Sequence, residues 1–324
     1  MNYFIFTSGD VNGVGPEISI KTFNRIRSDK NKIIFVCPGN VFYDAVEKFP
    51  TECDFRLINN PLEISPDADV IDVIDSGTVP VKIGKPTKSS GQGAFDALKI
   101  AFEIVMMFDN AALITAPISK EALKEAGIKY PGHTEMLAEW CLADDYAMMF
   151  LSEDMKCALA TIHTPLKDVS KKIKKENLNA LIKTVGASLK KDFKIASPKI
   201  ALLGLNPHAG ENGVIGKEEK EEIVPAIRKN KTAAGPFVPD AFYGMEMFRE
   251  FDCTIGMYHD QVLIPFKMMN FSSGVNYTCG LPIIRTSPDH GTAYAIAWKN
   301  IADETSMVNA YYWAKTILKN RNSK

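Results

Sequence analysis

At 324 residues, with 46% hydrophobic and 24% charged residues, the chain is long enough for two lobes and has the composition of an ordinary globular protein. A net charge of −1 excludes a global field for nucleic acid or an anionic membrane, so any bound anion must be held by local groups. The longest apolar region, Ala94 to Ala116, is broken by Asp96, Lys99, Glu103 and Asp109, so no segment reaches the ~20 apolar residues of a membrane span.

The opening segment Met1 to Thr7 has no basic flank, and no secretory leader is expected. Tyr3 to Thr7 reads as a strand, followed by the loop Ser8-Gly9-Asp10-Val11-Asn12-Gly13-Val14-Gly15 and a helix that Pro16 and Glu17 open. Ile33 to Cys37 and Val70 to Ile74 are further strands. Leu98, Ala101, Phe102 and Val105 give Ala94 to Phe108 a helical period. Ala111 to Thr115 is a strand, Ala116-Pro117 a turn, and about Ser119 to Ala126 a helix closed by Gly127. Later strands are Cys157 to Ile162, Lys199 to Gly204, Thr254 to Tyr258 and Val275 to Cys279. This alternation predicts an α/β fold with a mixed, largely parallel sheet. The basic run Lys167 to Lys175 reads as one helical segment with a solvated face, not as a nucleic-acid patch. The six cysteines are scattered without a Cys-x-x-Cys pair, which fits free thiols in a reducing cytosol.

The five histidines carry the functional information. His163 follows the strand ending at Ile162, His208 stands just past the strand ending at Gly204, and His259 follows the strand ending at Tyr258. In an open α/β sheet the carboxyl ends of the strands form the ligand crevice. Three imidazoles at that edge can converge on one divalent metal and leave a position open for substrate. A lone histidine after a strand is usually a loop residue; three of five in the same topological position tilt the balance toward ligation. His133 and Thr134 lie in Pro131-Gly132-His133-Thr134-Glu135, where a helix begins and free N–H groups can receive an anion. Lys267, Asn276 and Arg285 follow or interrupt apolar segments and fit a phosphate or carboxylate clamp. The glycines between Gly9 and Gly15 match neither a dinucleotide nor an ATP fingerprint, and a tight turn before a helix is their sufficient explanation.

Taken together, these segments closely resemble the 4-hydroxythreonine-4-phosphate dehydrogenase family of vitamin B6 biosynthesis. The likeness runs nearly end to end. Its most specific strings are Asn206-Pro207-His208-Ala209-Gly210-Glu211, Tyr258-His259-Asp260-Gln261 and Asp289-His290-Gly291-Thr292-Ala293, joined by Gly132-His133-Thr134-Glu135. The resemblance implies an isocitrate/isopropylmalate dehydrogenase-like fold: two α/β/α lobes around a cleft. One lobe is expected over about 1–135 plus 275–324, and the other, with most metal ligands, over 136–274. It also implies a cytoplasmic homodimer whose active site draws on both subunits, with no nucleic-acid or membrane partner.

By the same likeness His163, His208 and His259 hold a divalent cation (Zn, Mg or Co). His133, Thr134, Lys267, Asn276 and Arg285 contact a phosphorylated hydroxy acid, and Asp289 to Ala293 hold the adenosine part of NAD or NADP. The implied reaction is oxidation and decarboxylation of 4-phosphohydroxythreonine. Asp260 can orient a ligand or hold the substrate amine, and Lys120 is a candidate proton relay. Val11-Asn12 stand where the family usually has Pro-Ala, and Ala116 where some members have Gly. Phosphothreonate or phosphoerythronate oxidation is the close rival. Phosphate acyl transfer and ligand binding without turnover are the other classes.

Overall fold

The structure, a computed structural model, describes residues 1–323. In chain order its strands and helices are β1 (Tyr3–Thr7), α1 (Gly15–Ile26), β2 (Lys32–Cys37), α2 (Gly39–Lys48), β3 (Asp54–Ile58), β4 (Val70–Asp75), α3 (Lys88–Met107), β5 (Ala111–Thr115), α4 (Lys120–Glu125) and α5 (His133–Trp140). There follow β6 (Ala147–Leu151), β7 (Lys156–Leu159), α6 (Leu166–Lys172), α7 (Lys175–Phe193), β8 (Ile200–Leu203), α8 (Val224–Arg228), β9 (Ala233–Phe237), α9 (Pro239–Gly244), β10 (Cys253–Gly256), α10 (His259–Asn270), β11 (Val275–Cys279), β12 (Arg285–Pro288) and α11 (Thr305–Asn322). The chain divides into two compact units. One comprises Met1–Leu142 and Leu281–Asn322, the other Ala143–Gly280. Among the described residues no helix is long and apolar enough to cross a membrane.

In the first unit the strand order is β3-β4-β2-β1-β5-β12, and every pairing is parallel. The central strands are buried along their whole length, which is why they read as continuous apolar runs instead of alternating ones. Phe6, Phe23 and Phe35 pack edge to face at centroid distances of 5.1 and 5.2 Å, and Tyr311 of α11 meets Phe4 at 4.7 Å. These contacts bury one face of α1 and α11 against the sheet. Helix α3 begins six residues before the apolar period does. Its start is set by a capping box between Thr87 and Ser90. The added turn contains Gly91, where a Cβ would stand 2.1 Å from the Ala122 carbonyl oxygen, so closeness to α4 is bought with a residue of low helix propensity.

In the second unit the order is β11-β6-β7-β10-β8-β9. β11·β6 and β6·β7 are antiparallel; β7·β10, β10·β8 and β8·β9 are parallel. Phe150, Cys157, Leu159, Leu203, Phe242, Val262 and Phe266 form its core, joining the sheet to α9 and α10. The basic run departs from the single helical segment expected of it. Ile173 is 1% exposed and extended, so α6 stops at Lys172 and α7 starts anew at Lys175. Burying one β-branched side chain breaks the helix there. All six cysteines are free thiols. Burial raises Cys37 and Cys253 far above the ordinary thiol range and pushes Cys279 up to about 12, so none of these three is poised as a nucleophile.

Candidate active site

Three of the five histidines leave neighbouring strands of the second unit. β7, β10 and β8 lie side by side and parallel, with β10 in the middle. Their carboxyl ends therefore share one edge, and from that edge depart His163, four residues past Leu159, His259, three past Gly256, and His208, five past Leu203. The rings of His163 and His259 have centroids 6.1 Å apart and an interplanar angle of 34°. A ligating nitrogen sits ~2.1 Å from its ion, which puts the ring centroid about 3.2 Å away and limits two rings on one ion to a separation of roughly 6.4 Å. The observed pair lies inside that limit, but would subtend roughly 145° at a shared ion, wider than the tetrahedral angle. His259 Nδ1 lies 2.7 Å from Asp260 Oδ1. A carboxylate only accepts, so Nδ1 carries the proton and Nε2 presents its lone pair, the tautomer a metal ligand needs.

His208 stands differently. It opens a run of six consecutive residues with positive φ, from 52° at His208 to 99° at Gly213. Three of the six, His208, Ala209 and Glu211, are neither glycine nor asparagine, and αL costs such an L-residue roughly 1 kcal/mol or more. His163 and His208 are exposed, and His259 is part-exposed. Among the described residues no group of three or more His, Cys, Asp or Glu side chains stands in metal-holding geometry, so His208 is not gathered with the other two.

In the first unit a buried polar cluster closes around Arg285, which is 3% exposed. It begins β12, beside β5, and donates to Thr115 Oγ1 from Nε at 3.1 Å and from Nη2 at 2.8 Å. Its Nη2 also lies 3.2 Å from His133 Nδ1. Since guanidinium only donates, His133 Nδ1 accepts, and the proton of the neutral ring is on Nε2. That Nε2 is buried and has no hydrogen-bond partner among the described residues. Burial, then the Arg285 charge, holds His133 well below the usual histidine range, and burial lowers Arg285 to about 10, opposed by Glu135. A buried cation beside an unanswered N–H at the start of α5 is the chemistry of an anion site. Thr134 is buried next to it. Lys267, on α10, and Asn276, on β11, belong to the second unit; Asn276 Oδ1 is likewise buried without a partner among the described residues.

The segment Asp289 to Ala293 is anchored at both ends and open between them. Asp289 N–H donates to Ser306 Oγ at 3.0 Å, and the Thr292 carbonyl receives Val14 N–H at 2.9 Å. His290, Gly291 and Ala293 are exposed, which suits a loop that presents itself to a cofactor. Tyr294 Oη donates to Asp10 Oδ2 at 2.8 Å, and Ser90 Oγ reaches the same oxygen at 3.1 Å. Burial raises the Asp10 carboxyl, against these hydrogen bonds and that of Asn12 N–H. Asn12 donates to Lys85 O and Thr87 Oγ1 and accepts from Lys82 N–H at 2.7 Å. The opening glycine loop is thus a dock for two other loops. Asp10, Asn12, Thr115 and Tyr294 were not singled out by spacing, and no local signal marks them, because their partners lie some 70 to 284 positions away in sequence. Lys120 begins α4 as an exposed side chain.

Residues 29–314 match the family model described as "Pyridoxal phosphate biosynthetic protein PdxA". The chain is 38% identical to 4-hydroxythreonine-4-phosphate dehydrogenase of Prosthecochloris aestuarii, over 98% of this chain and 97% of that protein. It is 41% identical to the protein of the same name from Aquifex aeolicus, over 96% and 97%. The crystal structure of 4-hydroxythreonine-4-phosphate dehydrogenase from Klebsiella pneumoniae superposes with a TM-score of 0.85 at 35% identity, covering 98% of both chains.

Proposed function

The chain belongs to the PdxA family of pyridoxal phosphate biosynthetic proteins, and on that premise we propose that it is a cytoplasmic, NAD(P)-linked oxidoreductase. Its substrate is 4-hydroxythreonine 4-phosphate, which it oxidises at the secondary alcohol and decarboxylates to 3-amino-2-oxopropyl phosphate. The observation that carries the metal-assisted form of this reading is the emergence of three histidines from adjacent parallel strands, with two rings 6.1 Å apart.

His163, His208 and His259 would hold the divalent cation, which would supply Lewis acidity toward the substrate hydroxyl. The protein's own groups do the rest. Asp260 fixes the His259 tautomer and ring plane through the 2.7 Å contact at Nδ1. His133 Nε2–H, Thr134 and Arg285 take the phosphate, and Lys267 and Asn276 are the substrate contacts supplied by the second unit. Thr115 holds the guanidinium plane, so the phosphate is met by donors already in place, and that remote binding orients the reacting carbon. Asp289 to Ala293 receive the adenosine half of the cofactor. Lys120 serves as the proton relay, and Lys120→Ala should lower kcat with KM little changed.

A homodimer is part of the same proposal. On α10, Ile264, Met268 and the following Phe271 recur at helical spacing and are 57%, 83% and 83% exposed. An apolar stripe of this kind on the helix that carries His259 and Lys267 is suited to a second copy of the chain.

The test is NADH formation with 4-hydroxythreonine 4-phosphate and with 4-phosphothreonate side by side, each with and without chelator. Turnover of the first, abolished by chelator and restored by zinc, magnesium or cobalt, is the expected result. Preference for phosphothreonate moves the chain to the rival substrate. Acyl phosphate turnover with no NADH, or chelator-insensitive oxidation, overturns the reading.

A further inference from the structure

In the first unit the register of two strands decides which nitrogen of a buried imidazole carries its proton. β12 runs parallel to β5, with Arg285 opposite Leu113 and Thr286 opposite Ile114. Side chains two apart on a strand share a face, so Arg285, Leu113 and Thr115 point the same way, Thr115 one pleat further toward the carboxyl edge. The arginine reaches along that face and gives Thr115 Oγ1 two hydrogen bonds, from Nε at 3.1 Å and from Nη2 at 2.8 Å. Two bonds from one guanidinium to one oxygen leave its plane little freedom to turn. Nη2 is thereby aimed at the first residue of α5, where it meets His133 Nδ1 at 3.2 Å.

A neutral imidazole has one donor and one acceptor, and the ring alone does not fix which nitrogen is which. Here the choice is made from outside. Guanidinium has no acceptor, so Nδ1 must offer its lone pair and the proton must sit on Nε2. A second proton, on Nδ1, would set two donors head to head among side chains that are 0% (Thr115), 3% (Arg285) and 8% (His133) exposed. Burial and then the Arg285 charge hold the ring below the usual histidine range, and Glu135, in the first turn of α5, acts on Arg285 in the opposite sense. The outcome is an imidazole whose unanswered nitrogen, buried Nε2, is a donor. With the proton on the other nitrogen, the same atom would turn a lone pair toward an incoming anion.

We propose that Thr115 is a positioning residue that, through Arg285, locks His133 as the neutral Nε2–H tautomer and so makes the cluster a donor-only seat for an anion of the phosphate monoester class. The inference rests on the reading that this cluster takes the substrate phosphate. It goes further in assigning the sign of the group that meets the phosphate to a threonine that need not touch it. Selectivity follows from the inventory of donors and acceptors. The outer oxygens of a phosphate accept, and Arg285 and His133 Nε2 donate. An ammonium or hydroxymethyl end needs a lone pair, and those of Thr115 Oγ1 and His133 Nδ1 are already taken by Arg285.

The test is 15N NMR of histidine-labelled, metal-free protein, with and without inorganic phosphate, read beside phosphate affinity from calorimetry. The His133 signals are assigned by their loss in His133→Gln. In the parent protein Nε2 should carry the proton across the whole ordinary histidine range, and phosphate should shift the Nε2–H signal. Thr115→Val keeps the volume and removes the oxygen that pins the guanidinium. It should spread the proton over both ring nitrogens and weaken phosphate binding about 10- to 100-fold, the range for a hydrogen bond to a charged group. Thr115→Ser, which keeps the oxygen, should restore both readings. Thr115→Ala removes the same oxygen and takes the place of the valine variant if that one does not fold. Weaker phosphate binding with the tautomer unchanged overturns the proposal, as does an unchanged affinity with the tautomer released. A parent ring protonated on Nδ1 overturns it as well. Should phosphate neither bind the parent nor move its His133 signals, the phosphate reading of the cluster fails and this inference with it.

Discussion

The cluster around Arg285 and the histidine edge of the second unit meet their ligands in opposite ways. Arg285, His133 and Thr115 are buried and already hydrogen-bonded to one another, leaving one unanswered donor, His133 Nε2. His163 and His208 are exposed, and only the ring of His163 stands within sharing distance of His259. In the proposed reading the first site is finished by the fold before its anion arrives. The second is arranged by the fold only as far as its strand ends, and in the proposed reading the third imidazole would join the other two on binding a cation. Burial supplies precision where the charge is fixed in the protein; exposure suits a site that must admit an ion with its water. The cost of each falls in a different place, on folding stability in the first and on binding in the second.

The largest effect that would sharpen this contrast is on metal affinity without stability. His259→Ala should reduce cobalt affinity by more than about 100-fold, beyond the range of outer contacts. Its Tm in chelator should hardly move, because the side chain is 44% exposed. A large loss of Tm in chelator would show that the ring is structural and break the comparison. Arg285→Met should do the reverse. It strips the donors from Thr115 Oγ1 and His133 Nδ1, at a cost of about 2–4 kcal/mol in unfolding by denaturant. It should also raise KM for the phosphorylated substrate at least tenfold while leaving that for a dephosphorylated analogue unchanged.

The pH dependence of stability comes next. His133 stays neutral in the native protein, whereas the unfolded chain takes up a proton near the ordinary value of 6.5. Below that pH the unfolded state binds more protons, so stability falls as pH falls, by up to about 1.4 kcal/mol per pH unit for this one group. Above it the contribution is flat. His133→Gln should remove that part of the acid-side slope; an unchanged slope would contradict a buried neutral ring. Asn12→Ala loses two donated bonds and one accepted bond that tie the opening loop to residues 82–87, and should cost about 1–3 kcal/mol with cobalt affinity unaffected.

Much of the fold was legible because the apolar runs are local. β1, β5 and β11 lie where their sequences put them, since strands buried on both faces announce themselves without any partner. The start of α3 was less legible because its first turn is polar and glycine-containing, shaped by α4 and not by its own period. Lys167 to Lys175 looked like one helix because charge patterning does not register that Ile173 must be buried. At the site, strand-then-histidine order was readable at 163, 208 and 259. The adjacency of β7, β10 and β8 was not, because it depends on pairing between segments roughly 50 to 100 residues apart. Gln261 shows the same limit. It stood in view beside His259, yet its carboxamide donates to a carbonyl 57 positions away. Thr115, Asp10 and Tyr294 were silent for the same reason: a buried polar side chain declares its role only when its partners are in place.

The most direct measurement is anomalous diffraction at the cobalt edge from crystals of the cobalt-loaded protein. The expected result is one strong peak per chain within about 2.2 Å of a ring nitrogen from each of His163, His208 and His259. A peak bound by other residues, or one that leaves His208 out of its ligands, would contradict the shared grip of the three imidazoles.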